Sequence, residues 1–207
     1  MRLRLLVVPL LLCAAPAGAQ SLYLQPGQHG VEASAGWSSA DDTGGPEVFL
    51  SVGIAGRVDV GVGLFRYEET YDSDVTYDEI GPFVRWFLVK QGERQWPVSV
   101  ALLGQAYFDE YENGDEADYY QFGPTFYRAV LLPQGLTLYP FAGFAVMTES
   151  YTEAGGAAER TTFIERDLGL HLTTRTDRPL SFGLTFIESG YNIGTYRDVR
   201  ISAMLRL

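Results

Sequence analysis

The sequence predicts an all-β protein, an antiparallel, up-and-down transmembrane β-barrel of ten strands, with eight strands as the alternative if two segments are loop extensions. Three observations carry this expectation. Ten segments alternate apolar and polar residues between turn-forming punctuation. Several run nine to eleven residues, the length a tilted strand needs to cross a bilayer, whereas globular strands average five or six. The connections alternate long and short, as they do in barrels with long loops outside and short turns inside.

The segments are Val31–Ser38, Glu47–Ala55, Val58–Tyr67, Glu79–Lys90, Val98–Phe108, Tyr119–Leu131, Leu136–Met147, Thr161–Leu172, Leu180–Ile187 and Val199–Leu207. The first sets Glu32 inside and Trp37 at a membrane edge. The second runs to the tight Gly56-Arg57 turn. In the third, Val58, Val60, Val62 and Leu64 share one face, and Asp59, Gly61, Gly63 and Phe65 the other. The fourth alternates Phe83, Arg85 and Phe87 with Val84 and Trp86. The fifth opposes Val98, Val100, Leu102, Ala106 and Phe108 to Ser99, Ala101, Gln105 and Tyr107. The sixth carries Gln121 and Tyr127 inward, the seventh Tyr139 and Phe141, and the eighth Glu165, Asp167 and His171. The ninth sets Leu180, Phe182, Leu184 and Phe186 against Ser181, Gly183 and Thr185. The last sets Val199, Ile201, Ala203, Leu205 and Leu207 against Arg200, Ser202, Met204 and Arg206. A closed barrel is the arrangement of strands that satisfies every backbone group in lipid, and an even strand count puts both ends of the barrel on one side.

The long connections are Ser39–Pro46, Glu68–Asp78, Asp109–Asp118, Thr148–Arg160 and Glu188–Asp198; Gly56-Arg57, Gln91–Pro97, Leu132–Gly135 and Thr173–Pro179 are short. Most of the 26 acidic residues fall in the long connections and their flanks, so the outer rim is expected to be acidic. Arg57, Lys90, Arg94, Arg175 and Arg178 make the inner rim mildly basic. The net charge of −11 argues against nucleic acid, which selects a basic footprint. With 46% hydrophobic and 14% aromatic residues the chain is too apolar for disorder. Residues 1–19 have the pattern of a cleaved secretory signal peptide: Arg2 and Arg4, the apolar run Leu5–Cys13, and the small-residue site Ala17-Gly18-Ala19. Residues 20–207 form the barrel domain. Cys13 is the sole cysteine, so no disulfide or cysteine metal site is expected.

The runs Ile80-Gly81-Pro82-Phe83-Val84-Arg85-Trp86, Phe122-Gly123-Pro124-Thr125-Phe126-Tyr127-Arg128 and Tyr139-Pro140-Phe141-Ala142-Gly143-Phe144 resemble the recurring Gly-Pro and Tyr-Pro strand entries of small Gram-negative outer-membrane barrels, the OmpA-like and opacity-porin-like group. The resemblance implies a cell outer-membrane location and a monomeric barrel. It implies little about activity.

Aliphatic faces toward lipid leave a lumen with at least seven aromatics, so the interior is expected to be largely filled. Its charges form an expected structural network of Asp59, Arg85, Glu165, Asp167, Arg200 and Arg206, because buried charges need partners. Arg66 and Arg166 fall on the lipid-facing parity near the outer end. There they would cost little, against ~2–4 kcal/mol at mid-membrane, and they are candidates for lipopolysaccharide phosphates. Arg128 falls on an awkward parity, and a bulge is expected to turn it inward. Trp37, Tyr67, Phe108, Tyr119 and Tyr120 are read as the outer aromatic girdle, and Trp86, Trp96 and Phe126 as the inner one.

No catalytic residue, metal or cofactor is expected. His29 and His171 both fall at the inner end, whereas outer-membrane proteases and lipid A deacylases act at the outer rim. His171 is instead expected to pair with Asp167 or Glu165. The Asp109–Asp118 stretch lacks the calcium-loop pattern, with Tyr120 where a bidentate Glu belongs. The expected role is a non-catalytic structural or surface-interaction protein, in contact with outer-membrane lipid and lipopolysaccharide and with weak divalent-cation contacts at its acidic loops. A narrow porin-like channel and an outer-membrane lipid-modifying enzyme are the alternatives.

Overall fold

The computed structural model describes residues 22, 24–39, 43–69, 76–111, 116–152, 156–174, 179–191 and 194–207. The signal-peptide reading of residues 1–19 lies outside them. Ten antiparallel strands form the wall: β1 (Gly30–Ser39), β2 (Thr43–Ile54), β3 (Val58–Glu69), β4 (Thr76–Val89), β5 (Ser99–Tyr111), β6 (Glu116–Tyr127), β7 (Thr137–Thr152), β8 (Glu159–Thr173), β9 (Leu180–Tyr191) and β10 (Gly194–Arg206). Each pairs with its sequence neighbour. The last pairs back onto the first, from Gly30 opposite Arg206 to Ser39 opposite Arg197, so the sheet has no free edge. All ten expected segments are strands, and the eight-strand alternative falls.

Three details differ from the sequence reading. First, the strands overrun it at the acidic end. Residues 40–42 alone separate β1 from β2, and 112–115 separate β5 from β6. Polar side chains do not interrupt a backbone ladder, and Asp78 still stands opposite Glu110. The alternation of long and short connections is therefore an alternation of polarity, not of loop length. Second, the sixth segment breaks at Tyr127. Val130–Leu131 form a separate two-residue bridge to Leu138 and Thr137. Third, Arg128 stays exposed rather than turned inward, because its amide donates to the Pro140 carbonyl at 3.1 Å and continues the ladder. The irregularity in register lies elsewhere, between Phe87 and Val89.

The outer surface is apolar. Val60, Leu64, Val84, Phe122, Phe144, Val146, Ile164, Leu168, Phe182 and Ile201 are all exposed, an arrangement that water penalises and acyl chains accept. Trp37, Phe108 and Tyr120 stand outward at one end, and Trp86, Trp96 and Phe126 at the other. Tyr67 and Tyr119 do not join them. Their parity is that of the lumen, where Tyr67 is buried and both line a cavity.

Glycines on the inner face make room for large neighbours. A Cβ on Gly61 would stand 2.6 Å from the Phe83 ring, and one on Gly183 2.5 Å from the His171 ring. The lumen therefore accommodates its aromatics by thinning the wall behind them.

Candidate functional site

Among the described residues the lumen is the concave site that gathers polar chemistry. It is divided. A cavity of about 160 Å³ lies toward the end where the described chain starts and finishes, and one of about 170 Å³ toward the acidic end. Tyr107, Glu165, Ser189, Asp198 and Arg200 line both, and so form the belt between them.

Arg200 organises that belt. Its Nε donates to Glu47 Oε1 at 2.5 Å and its Nη2 to Asp198 Oδ2 at 2.6 Å. The guanidinium also lies 4.1 Å from the centre of the Phe49 ring. Gly36, between Glu47 and Arg200 in register, makes the pairing possible. A Cβ there would stand 2.7 Å from both Arg200 Cγ and Glu47 Oε1. The sequence placed Arg200 in a lumen network whose acids were Asp59, Glu165 and Asp167, and it placed Glu47 and Asp198 with the acidic rim. The signal that was missed is the register across Gly36, which alternation within one strand does not reveal.

The remaining network is looser. Arg85 lies 3.7 Å from the wholly buried Asp59. Glu165 accepts from Gln121 Nε2, and Asp167 from Ser189. Arg206 sits opposite Gly30, and its Nε meets no acceptor among the described residues. His171 is buried and its Nδ1 lies 2.6 Å from the hydroxyl of Thr185. His29 Nδ1 accepts from the Ala55 amide at 3.4 Å. Arg66 and Arg166 are exposed on the outer face, and Arg66 lies 3.7 Å from Asp78.

At its terminus end the lumen closes down to an apolar cluster. Leu22 and Leu24, just before β1, pack against Phe87, Ala101, Tyr127, Tyr139 and Met204. The Lys90 ammonium, in the connection after β4, donates to the Leu24 carbonyl. Burial and the neighbouring Arg57 charge lower it to about 8, against the pull of Asp59 and Glu93. From the turn between β2 and β3, Arg57 Nη2 donates to Glu93 Oε1 of that connection at 2.6 Å. Burial pushes the Glu93 carboxyl up, but the Lys90 amide and the Arg57 guanidinium outweigh it and hold it below its ordinary 4.5.

No protein-family model matches the sequence, and no curated protein matches it. Solved structures do. The β-domain of the Bordetella autotransporter BrkA has 8% identity, covering 87% of this chain and 99% of that one, with a TM-score of 0.50. The translocator domain of the autotransporter NalP from Neisseria meningitidis has 10% identity, covering 89% and 90%, also at 0.50. Neisserial surface protein A has 12% identity, covering 86% and 96%, at 0.39. The fold is that of the outer-membrane β-barrels. At these identities the likeness speaks to the barrel's architecture and to nothing it binds.

Proposed function

We propose that this barrel resides in the bacterial outer membrane, reached through a signal peptide cleaved after Ala19. Its acidic end faces outward and it has a non-catalytic structural or surface-interaction role. The apolar outer face carries the location, because a band of exposed Leu, Ile, Val and Phe fits acyl chains on every side of the closed wall. The divided lumen supports a role other than bulk transport. The Arg200 belt crosses it and the Leu22–Leu24 cluster fills its lower end. Arg66 and Arg166 stand on the outer face, where lipopolysaccharide phosphates would meet them.

Purified protein in planar bilayers tests this reading. The expected outcome is no conductance step of general-porin size. Such a step would replace the proposal with the channel alternative. Lipid A mass spectrometry after expression is expected to show no new species, and a new species would establish the enzyme alternative. Replacing Arg66 and Arg166 together with Gln is expected to weaken lipopolysaccharide retention during purification, and unchanged retention removes that contact.

A further inference from the structure

The upper cavity has walls of two kinds. Glu79, Asp109 and Glu149 contribute carboxyl groups from β4, β5 and β7. Arg200 is the sole cation in the described lining, and Glu47 and Asp198 already engage it. Glu79 and Asp109 stand opposite each other and hydrogen-bond carboxyl to carboxyl. Asp109 is only 6% exposed, yet its Oδ1 meets no hydrogen-bond donor among the described residues. A buried acceptor of this kind is costly without a partner. It lines a cavity with room for one.

The remaining wall is aromatic. Phe65 stacks on Tyr67 with centroids 5.9 Å apart and planes 10° from parallel. Tyr119 and Phe163 extend this wall, and Met147 lies among them. No group of three or more His, Cys, Asp or Glu among the described residues is placed to hold a metal ion. Carboxyl groups and aromatic rings lining one cavity suit a different cation, one that is large, weakly hydrated and clothed in carbon. Its charge is attracted by the rings and the carboxylates together, and its methyl or methylene groups contact the apolar atoms.

We propose that the upper cavity is a binding site for a small organic ammonium ion. The Asp109–Glu79 pair would hold the charge, and Phe65, Tyr67 and Tyr119 would enclose the carbon. This inference goes beyond the location and role proposed above, and it stands on the cavity alone.

Methionine methyl groups provide the readout. Met147 lines this cavity, and Met204 lies in the dry cluster below the belt. The full barrel, ¹³C-methyl-methionine labelled in an uncharged detergent, is titrated with choline chloride. Parallel titrations use its neutral isostere 3,3-dimethylbutan-1-ol, calcium chloride, and sodium chloride at matched ionic strength. The expected result is a saturable choline shift at Met147, no shift at Met204, and no saturable response to the alcohol. Asp109→Asn combined with Glu79→Gln is expected to weaken choline binding about tenfold or more, the loss of one charge-assisted contact. The proposal is overturned by an equal response to the alcohol, by no saturation, by a parallel shift at Met204, or by undiminished binding in the folded double variant. Calcium acting at lower concentration than choline would overturn it in favour of a metal. Heat-modifiable gel mobility confirms folding, and if the variant does not fold, choline against the alcohol on the unaltered barrel decides.

Discussion

At the acidic end the lumen surrounds open space with carboxyl groups and aromatic rings. At the terminus end Leu22 and Leu24 press into Phe87, Ala101, Tyr127 and Met204 and leave a dry cluster. The same ten strands build both halves, with the same parity of inward residues. The difference comes from what each half can satisfy internally. The lower half packs hydrocarbon at its floor, which needs no partner, and sets the buried Asp59 beside Arg85. The upper half buries acids and depends on one guanidinium, Arg200, placed at the boundary. We picture the barrel as a cup, packed with hydrocarbon at its floor and held across its middle by charge.

Removing that charge has the largest expected effect. Arg200→Met leaves the fully buried Glu47 and the neighbouring Asp198 without their cation. Truncating one side of a buried ion pair costs about 3–5 kcal/mol. Urea unfolding in detergent, followed by loss of heat-modifiable mobility, measures it. Adding Glu47→Gln to Arg200→Met is expected to restore part of the loss. An unchanged midpoint for Arg200→Met alone would mean that the belt does not hold the upper half.

The lower half breaks in a different way. Leu24 is 1% exposed inside the dry cluster, and Leu24→Ala deletes buried carbon at a cost of about 2–5 kcal/mol, toward the lower figure where the segment can settle into the space. The same unfolding assay reads it. Planar-bilayer current separates the two halves, since a leak is expected from loosening the Leu24 seal and not from neutralising Asp109. Equal currents from both would make the cup picture wrong.

Much of this was legible in the sequence. Alternation put Glu32, Asp59, Arg85, Gln121 and His171 inside and counted ten strands. It did not reveal which inward residues meet across strands, because partners depend on register and a slip of one residue changes every pairing. Glu47 and Asp198 were therefore assigned to solvent on charge, and His171 was matched to carboxylates when Thr185 stands beside it. Tyr67 and Tyr119 were assigned to the girdle on composition, although their own parity pointed inward. Leu22 and Leu24 precede the first periodic segment, so no pattern marked them as a plug.

Glycine substitutions sharpen the comparison by testing register without touching a charge. A Cβ at Gly36 would stand 2.3 Å from the Val199 carbonyl and would crowd both members of the Arg200–Glu47 pair. Gly36→Ala is expected to lose about 1–3 kcal/mol, the usual cost of forcing extra carbon into a packed site. Gly190, also in a strand, has nothing within 4 Å of its added Cβ. Gly190→Ala is expected to be neutral or slightly stabilising, by up to about 1 kcal/mol. Equal losses at the two positions would mean that the ion pair does not depend on the space above Gly36.

The smallest effect belongs to the rim below the plug. Glu93 is held below its ordinary 4.5 by the Lys90 amide and Arg57, which outweigh the burial that opposes them. The unfolded chain therefore binds a proton there more readily than the folded barrel does. The stabilisation from this acid is fully present above about 4.5 and fades as pH falls through the lower folded value. Glu93→Gln keeps the shape and removes the titration. Unfolding midpoints measured from pH 6 downward are expected to fall more steeply for the unaltered barrel than for Glu93→Gln, with the two curves converging at the acid end. Parallel curves over that range would mean that this clasp contributes no acid-sensitive stabilisation.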